Sequence, residues 1–416
     1  MTSNFLAMER VLRHSAPQSL IETLRAGLVR HYGALAVEVA LADYGLTALC
    51  PVTAVPGEAQ PLSLHRTAQG RVFGSQEPLR RPSTEGGAVD LHLPVSVHGD
   101  RIGVLTVTLS EAAATEEAES ELLHVAEILG GAIIVAQRET DRYEQVRRLT
   151  RLTLAAEMQW QLLPGRSFRC PQYSIGAQLE PAYSVRGDNF DWSVAADRLT
   201  LSVTNGMGEG IHAATLTSLA VNALRNARRA GRDITDQATL ADQAIYHQHR
   251  GKRHVSTLLM DVTVSTGQVS VVDAGSPQVW VQRGKSVERL DLDAQMPLGM
   301  FEESRYVPQE FRIEQGDRLV LVSDGVYTAV SPTGETYAER ALARAISTAH
   351  FLPAADVPSA VLRSLATHRG AEADDDALVL CLDWSGSTAP AEEQEGEVVG
   401  VPVAVEPAGA GHQVVD

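Results

Sequence analysis

The apolar run Leu319-Val320-Leu321-Val322 ends abruptly in Ser323-Asp324-Gly325, and no other feature restricts the fold of the chain as strongly. Such a run predicts a strand. An Asp-Gly pair directly after it places a carboxylate at the strand tip, where the glycine permits a sharp turn and close approach of backbone to an ion. Three further elements share that half of the chain. Pro181-Ala182-Tyr183-Ser184-Val185-Arg186-Gly187-Asp188-Asn189-Phe190-Asp191-Trp192 comes first. A strand through Leu199, Leu201 and Val203 follows, ending in Thr204-Asn205-Gly206-Met207-Gly208-Glu209-Gly210. Asp374-Asp375-Asp376, ahead of Ala377-Leu378-Val379-Leu380, comes last.

Spaced aspartates with a backbone carbonyl suit magnesium or manganese, hard cations that prefer oxygen ligands in octahedral geometry and retain several waters. No His/Cys cluster suited to zinc is present: His247, His249 and His254 lie in the polar stretch HQHRGKRH, which reads as an exposed loop before a strand at Val255. Two hard cations a few ångströms apart activate a water between them and neutralise charge on a phosphoryl group, giving hydrolysis without a protein nucleophile. Each acidic element alone is also common in ordinary turns and solvated loops. Their order along the chain is the specific signal.

That order resembles the SpoIIE-type branch of the PPM (type 2C) protein phosphatases. Gln159-Trp160-Gln161-Leu162-Leu163-Pro164 stands upstream, and Ala274-Gly275-Ser276-Pro277 and Pro297-Leu298-Gly299 stand between the second and third elements. The resemblance covers nearly all of residues 152–384. It implies an αββα sandwich with a dinuclear Mn or Mg site at one edge between two antiparallel sheets. By the same resemblance Asp188 is the first metal-binding aspartate, Gly206 the backbone-carbonyl ligand, Asp324 the third-motif aspartate, and Asp374 or Asp375 the last. Asp188 and Asp324 are then the catalytic pair. The implied activity is hydrolysis of phosphoserine or phosphothreonine on a phosphorylated signalling protein, such as an anti-sigma-factor antagonist in sigma-factor partner switching.

The bridging aspartate of that pattern is Asn205 here. An amide offers one neutral oxygen and a donor NH₂ that would point at metal, so affinity for metal should fall. Arg186 stands where glycine is usual and is open to two readings, a bidentate clamp on a phosphate oxygen or a surface ion pair. Glu209, where histidine is common, either restores negative charge or sits at a helix N-terminus favoured by the dipole. The alternative to an enzyme is a pseudophosphatase, a module that binds a phosphoprotein without turning it over.

The rest of the chain is read from pattern. Leucines at helical spacing (Leu20, Leu24, Leu28) precede the alternation Leu35, Val37, Val39, Leu41, and a hairpin turns at His98-Gly99-Asp100. Helix, strands, the GDRIGVLTV hairpin and a closing helix resemble a GAF sensory domain. The expected fold is thus α+β, a C-terminal αββα sandwich preceded by an α/β GAF-like domain. The expected division is residues 1–138 GAF-like, 139–163 a connecting signalling helix, 164–385 phosphatase and 386–416 a disordered tail. From Glu117 to about Gln161 the apolar positions recur every three or four residues, predicting one long helix. Its stripe either pairs with a second copy as a coiled coil, giving a homodimer, or packs on its own domains. A net charge of −17 argues against a nucleic-acid surface. Three scattered cysteines, no signal-peptide pattern and no apolar window near the roughly 20 residues a bilayer requires fit a cytoplasmic chain without membrane contact.

Overall fold

The computed structural model describes residues 3–53, 58–84, 86–149, 151–180, 185–338, 340–370 and 375–386. Pro181 to Ser184 of the first motif, Asp374 and the tail from residue 387 lie outside the described residues.

The N-terminal domain begins with helices α1 (Ser3–His14) and α2 (Leu20–Tyr32), the latter closed by Gly33 at φ 65°. Strands β1 (Ala36–Ala42), β2 (Ala48–Pro51) and β3 (Leu62–Ser63) precede α3 (Ala68–Ser75). Strands β4 (Leu79–Pro82), β5 (Ala88–Val97) and β6 (Asp100–Ser110) precede α4 (Glu116–Ala136). The six strands form one sheet in the order β3-β2-β1-β6-β5-β4, and every pairing in it is antiparallel. The parallel crossovers of an α/β unit are absent from this sheet, so the domain is α+β. The expected turn is present: His98 (φ 50°) and Gly99 (φ 89°) join β5 to β6 in the left-handed geometry that two-residue hairpins favour.

The single long connecting helix is not formed. α4 ends at Ala136, a short α5 spans Arg142–Val146, and α6 starts afresh at Leu154 and ends at Leu162, its first turn capped by the Thr153 hydroxyl accepting from Ala156 N. The break has specific tethers. Arg142 pairs with Glu22 of α2, and the fully buried Tyr143 donates its hydroxyl to the Pro17 carbonyl at 2.6 Å. Of the stripe offered for a coiled coil, Leu122, Val125, Leu129, Ala136, Tyr143 and Val146 are buried in the core of their own domain and Ala132 packs against it, whereas Leu149 is exposed and Leu152 packs against a separate cluster.

The C-terminal domain packs two antiparallel sheets face to face. One has the order β15-β12-β11-β10-β9 and the other β14-β13-β16-β17-β8-β7. In chain order the elements are β7 (Ser167–Arg169), β8 (Tyr173–Glu180), β9 (Asp188–Val194), β10 (Arg198–Gly206), α7 (Gly210–Arg229) and α8 (Ile234–His249). Next come β11 (Val255–Thr263), β12 (Gln268–Ala274), β13 (Gln278–Arg283), β14 (Ser286–Arg289), β15 (Gln309–Arg312) and β16 (Arg318–Val322). The domain closes with α9 (Asp324–Tyr327), α10 (Arg340–Thr348), α11 (Val357–Arg369) and β17 (Ala377–Trp384). Between the sheets lies an apolar core that includes Leu199, Leu201, Val203, Met260, Leu321 and Leu380. α7 and α8 cover one sheet, α10 and α11 the other. This is the αββα layering expected. α8 continues through His249, so His247 and His249 belong to its last turn rather than to a loop.

The hairpin turn of the first domain is also where the second docks. Asp100 accepts from the backbone of Arg166 (3.0 Å) and Ser167 (3.3 Å), His98 O accepts from Arg169 N (2.8 Å), and Arg101 makes a two-pronged pair with Asp356 ahead of α11.

Candidate active site

Antiparallel pairing fixes the geometry of the site. Asp188, the first residue of β9, lies directly opposite Asn205 near the end of β10. Side chains alternate along a strand, so Asp188 shares the inner face with Phe190, and Asp191, an odd number of residues on, points the other way. The two aspartates of one short motif therefore serve different sites. Asp191 accepts from Arg225 (2.8 Å) and Arg228 (3.0 Å) of α7, on the outer face.

Asp188 is fully buried, and neither carboxylate oxygen has a hydrogen-bond partner of good geometry among the described residues. Burial pushes its carboxyl well above the ordinary range, the charge of Asp376 pushes it further, and the Ser323 hydroxyl offsets this only in part. A buried, unpaired carboxylate of this kind is costly unless a cation or proton joins it.

Asp324 begins α9 immediately after β16. Its Oδ1 accepts from the Gly325 backbone at 3.0 Å and from Asn205 Nδ2 at 2.5 Å. Gly325 is required by a close approach: a Cβ there would lie 1.9 Å from the Asp376 carbonyl. Gly206 is held comparably, since a Cβ on it would meet Thr217 Oγ1 at 2.2 Å, and its N–H donates to Gly187 O at 3.2 Å. Gly187 takes φ 96°. Both glycines thus let backbone and carboxylates crowd to one point, as the Asp-Gly pattern predicts.

The terminal acidic run divides its work. Asp376 is buried, and its Oδ2 accepts from three successive backbone N–H groups, Arg186 (2.9 Å), Gly187 (3.0 Å) and Asp188 (3.3 Å), and from Gln159 Nε2 (2.8 Å). It fixes the loop that presents Asp188 and so acts as a positioning residue. Asp375 is half-buried, and its carboxyl is raised by burial and then by the charge of Asp324, with Arg186 opposing. Asp375 thus lies within electrostatic reach of Asp324, while Asp374, the other aspartate open for the last position, lies outside the described residues.

Arg186 forms no ion pair among the described residues, its Nε is buried without a hydrogen-bond partner there, and its charge acts on Asp375. Glu209 is exposed at the N-cap position of α7 and makes no side-chain cap. Two residues escaped the sequence reading. Gln159 of α6 donates to both Asp376 and the Asp188 carbonyl (2.8 Å each), tying the segment between the domains to the site. Tyr327 donates to the Ser276 carbonyl at 2.7 Å, holding the Ala274-Gly275-Ser276 loop at the rim, and its hydroxyl is raised to about 12 by burial and by Asp324. Only the position of Gln159, in a motif quoted for its resemblance, marked it in advance.

The donor set fits a metal in part. Asp188, an orphaned buried carboxylate backed by Asp375 and Asp324, suits one hard cation. The Asn205 side does not suit a bridged second one, because its NH₂ is already donated to Asp324. Among the described residues no group of three or more His, Cys, Asp or Glu side chains is arranged to hold a metal ion. No described helix is long and apolar enough to cross a membrane.

Parts of the chain are similar to known proteins. Residues 195–385 match the model of the Stage II sporulation protein E (SpoIIE) family, to which that part of the chain is similar. The match begins after Asp188, whose place in the site rests on the structure. The chain is 24% identical over 225 residues to protein IcfG of Synechocystis, covering 47% of this chain and 35% of that protein. It is 22% identical over 200 residues to the phosphoserine phosphatase RsbU of Bacillus subtilis, covering 48% and 60%. The chain thus spans less than two thirds of either relative. Among solved structures, the SiaA-PP2C domain of Pseudomonas aeruginosa is similar at a TM-score of 0.46 and 22% identity, over 50% of this chain and 85% of that one.

Proposed function

We propose that this protein is a metal-dependent phosphoserine/phosphothreonine phosphatase of a partner-switching system, acting on a phosphorylated signalling protein such as an anti-sigma-factor antagonist. The observation that carries the reading is Asp188, a fully buried carboxylate with no hydrogen-bond partner of good geometry among the described residues and with the charges of Asp375 and Asp324 acting on it. Asp188, Asp324, Asp375 and the Gly206 carbonyl would hold the cation, which when bound supplies an activated water and neutralises phosphoryl charge. The remaining work falls to the chain. Asp376 and Gln159 hold the loop that carries Asp188, Asn205 fixes the rotamer of Asp324, and Arg186, whose charge acts on Asp375, would contact a phosphate oxygen.

The N-terminal domain is read as a GAF-like regulator. Its six-stranded antiparallel sheet flanked by helices supports that reading, as does a cavity of about 800 Å³ between the domains, lined by Leu64, Phe73, Arg166 and Leu362 among others. A second reading, a phosphoprotein-binding module with little turnover, is favoured by the Asn205 to Asp324 hydrogen bond, which satisfies a metal-site carboxylate without any metal.

Hydrolysis of a phosphothreonine peptide with and without manganese, by the wild type, Asn205→Asp and Asp324→Ala, separates the two. Wild-type turnover that falls at least a hundredfold in Asp324→Ala supports the enzyme. Turnover confined to Asn205→Asp supports the binding module, and no turnover in any of the three contradicts the phosphatase assignment.

A further inference from the structure

The outer face of the same hairpin carries a second feature, which the phosphatase reading leaves unused. A pocket of about 490 Å³ is lined by Arg198 of β10, Arg225, Arg228 and Arg229 of α7, and Arg232 of the loop that follows. Asp191 is the one carboxylate in that lining, and it is already shared between Arg225 and Arg228. Arg198 leans on Asp261 (3.3 Å) and Arg232 on Asp236 (3.9 Å), both outside the lining, and the second pair is exposed on both sides. Arg229 has no ion pair among the described residues. Arg228 and Arg229 also complement the C-terminal end of α7, but Arg198 and Arg232 sit on other elements and have no such role.

Five guanidinium groups around one carboxylate are a concentration of positive charge that a chain of net charge −17 does not produce by averaging. A second observation points to an occupant: Gln237, 1% exposed, lines the same pocket, and its Oε1 is buried without a hydrogen-bond partner. That oxygen accepts, so a suitable ligand brings a hydroxyl beside its negative charge. At about 3.3 Å per residue, Arg198 lies roughly 23 Å along β10 from Asn205, so the pocket is separate from the candidate active site.

We infer that this pocket binds a small phosphate-bearing anion, held by bidentate contacts from Arg198, Arg229 and Arg232 with Gln237 accepting from a ligand or phosphate hydroxyl. The inference does not depend on catalysis. Isothermal titration of the full chain with inorganic phosphate and with pyrophosphate, in a chelating buffer that keeps metal from the catalytic edge, tests it. Saturable binding of at least one probe by the wild type is expected, weakened about tenfold in R198Q/R229Q and unchanged in D324A. Both arginines are exposed, so the double variant keeps the fold, which circular dichroism checks. Absence of saturable binding of either probe by the wild type, a weakening of less than threefold in R198Q/R229Q, or loss in D324A overturns the proposal.

Discussion

On the inner face of the β9–β10 pair, Asp188 is buried with no hydrogen-bond partner of good geometry for either oxygen among the described residues; on the outer face, Asp191 accepts from two arginines at once. Three residues separate these carboxylates in sequence, and strand alternation sends them to opposite faces of the sheet. The inner site gathers negative charge, from Asp188, Asp324, Asp375 and Asp376, and the outer face positive charge. The difference shows that local charge excess, rather than the chain's total, marks where a ligand of the opposite sign belongs. It also separates carboxylates that build the fold, such as Asp376 and Asp191, from those that stand ready for something else.

That separation can be broken by removing the structural carboxylates. Asp376→Ala strips an acceptor from three backbone N–H groups and an amide, and a loss of about 3–5 kcal/mol in stability is expected by denaturant unfolding. A loss below about 1 kcal/mol would mean that the Asp188 loop is held by other contacts. Asp191→Ala leaves Arg225 and Arg228 facing each other unpaired, but both are partly solvated, so a smaller loss of about 2 kcal/mol follows. The same variant should tighten phosphate in the outer pocket, since the internal competitor is gone.

The smallest effect concerns pH. Asp273, on β12 close to the rim, has its carboxyl raised to about 6 by burial, with the Gly275 N–H opposing. The unfolded chain ionises this group near the ordinary aspartate value. The native state therefore favours the protonated form, and the stability this contributes at low pH is lost as pH rises from about 4 to about 6. Asp273→Asn keeps the acceptor for Gly275 and removes the titration. The gap between variant and wild type should open across that window by on the order of 1 kcal/mol, allowing for solvent screening. Parallel stability curves from pH 4 to 7 would show that Asp273 titrates normally.

How much of this was legible beforehand follows from the range of each interaction. Turns written in adjacent residues were readable: His98-Gly99 closes a hairpin, and Asp324-Gly325 and Asn205-Gly206 both end strands at one edge. Helical periodicity from Glu117 onward was also real, but it could not show that Arg142 would find Glu22 and Tyr143 the Pro17 carbonyl, contacts across more than a hundred residues that break the helix. The role of Asp376 was closed to sequence reasoning, because it depends on the backbone of Arg186, Gly187 and Asp188 folding onto its carboxylate from nearly two hundred residues away. The arginine pocket was hidden for a similar reason: Arg198 and Arg229 are far apart in the chain and meet only when α7 lies across β9 and β10.

On the proposed reading, the Asp188 side of the site takes one cation, and Asn205, committed to Asp324, excludes a bridged second one. Calorimetric titration of manganese into the metal-free chain, wild type against Asn205→Asp, tests it most directly. One tightly held equivalent in the wild type and two in Asn205→Asp are predicted, with the metal-free Asn205→Asp protein less stable than wild type because two carboxylates then face each other without the amide. Two tight equivalents in the wild type, or no gain in Asn205→Asp, would contradict it.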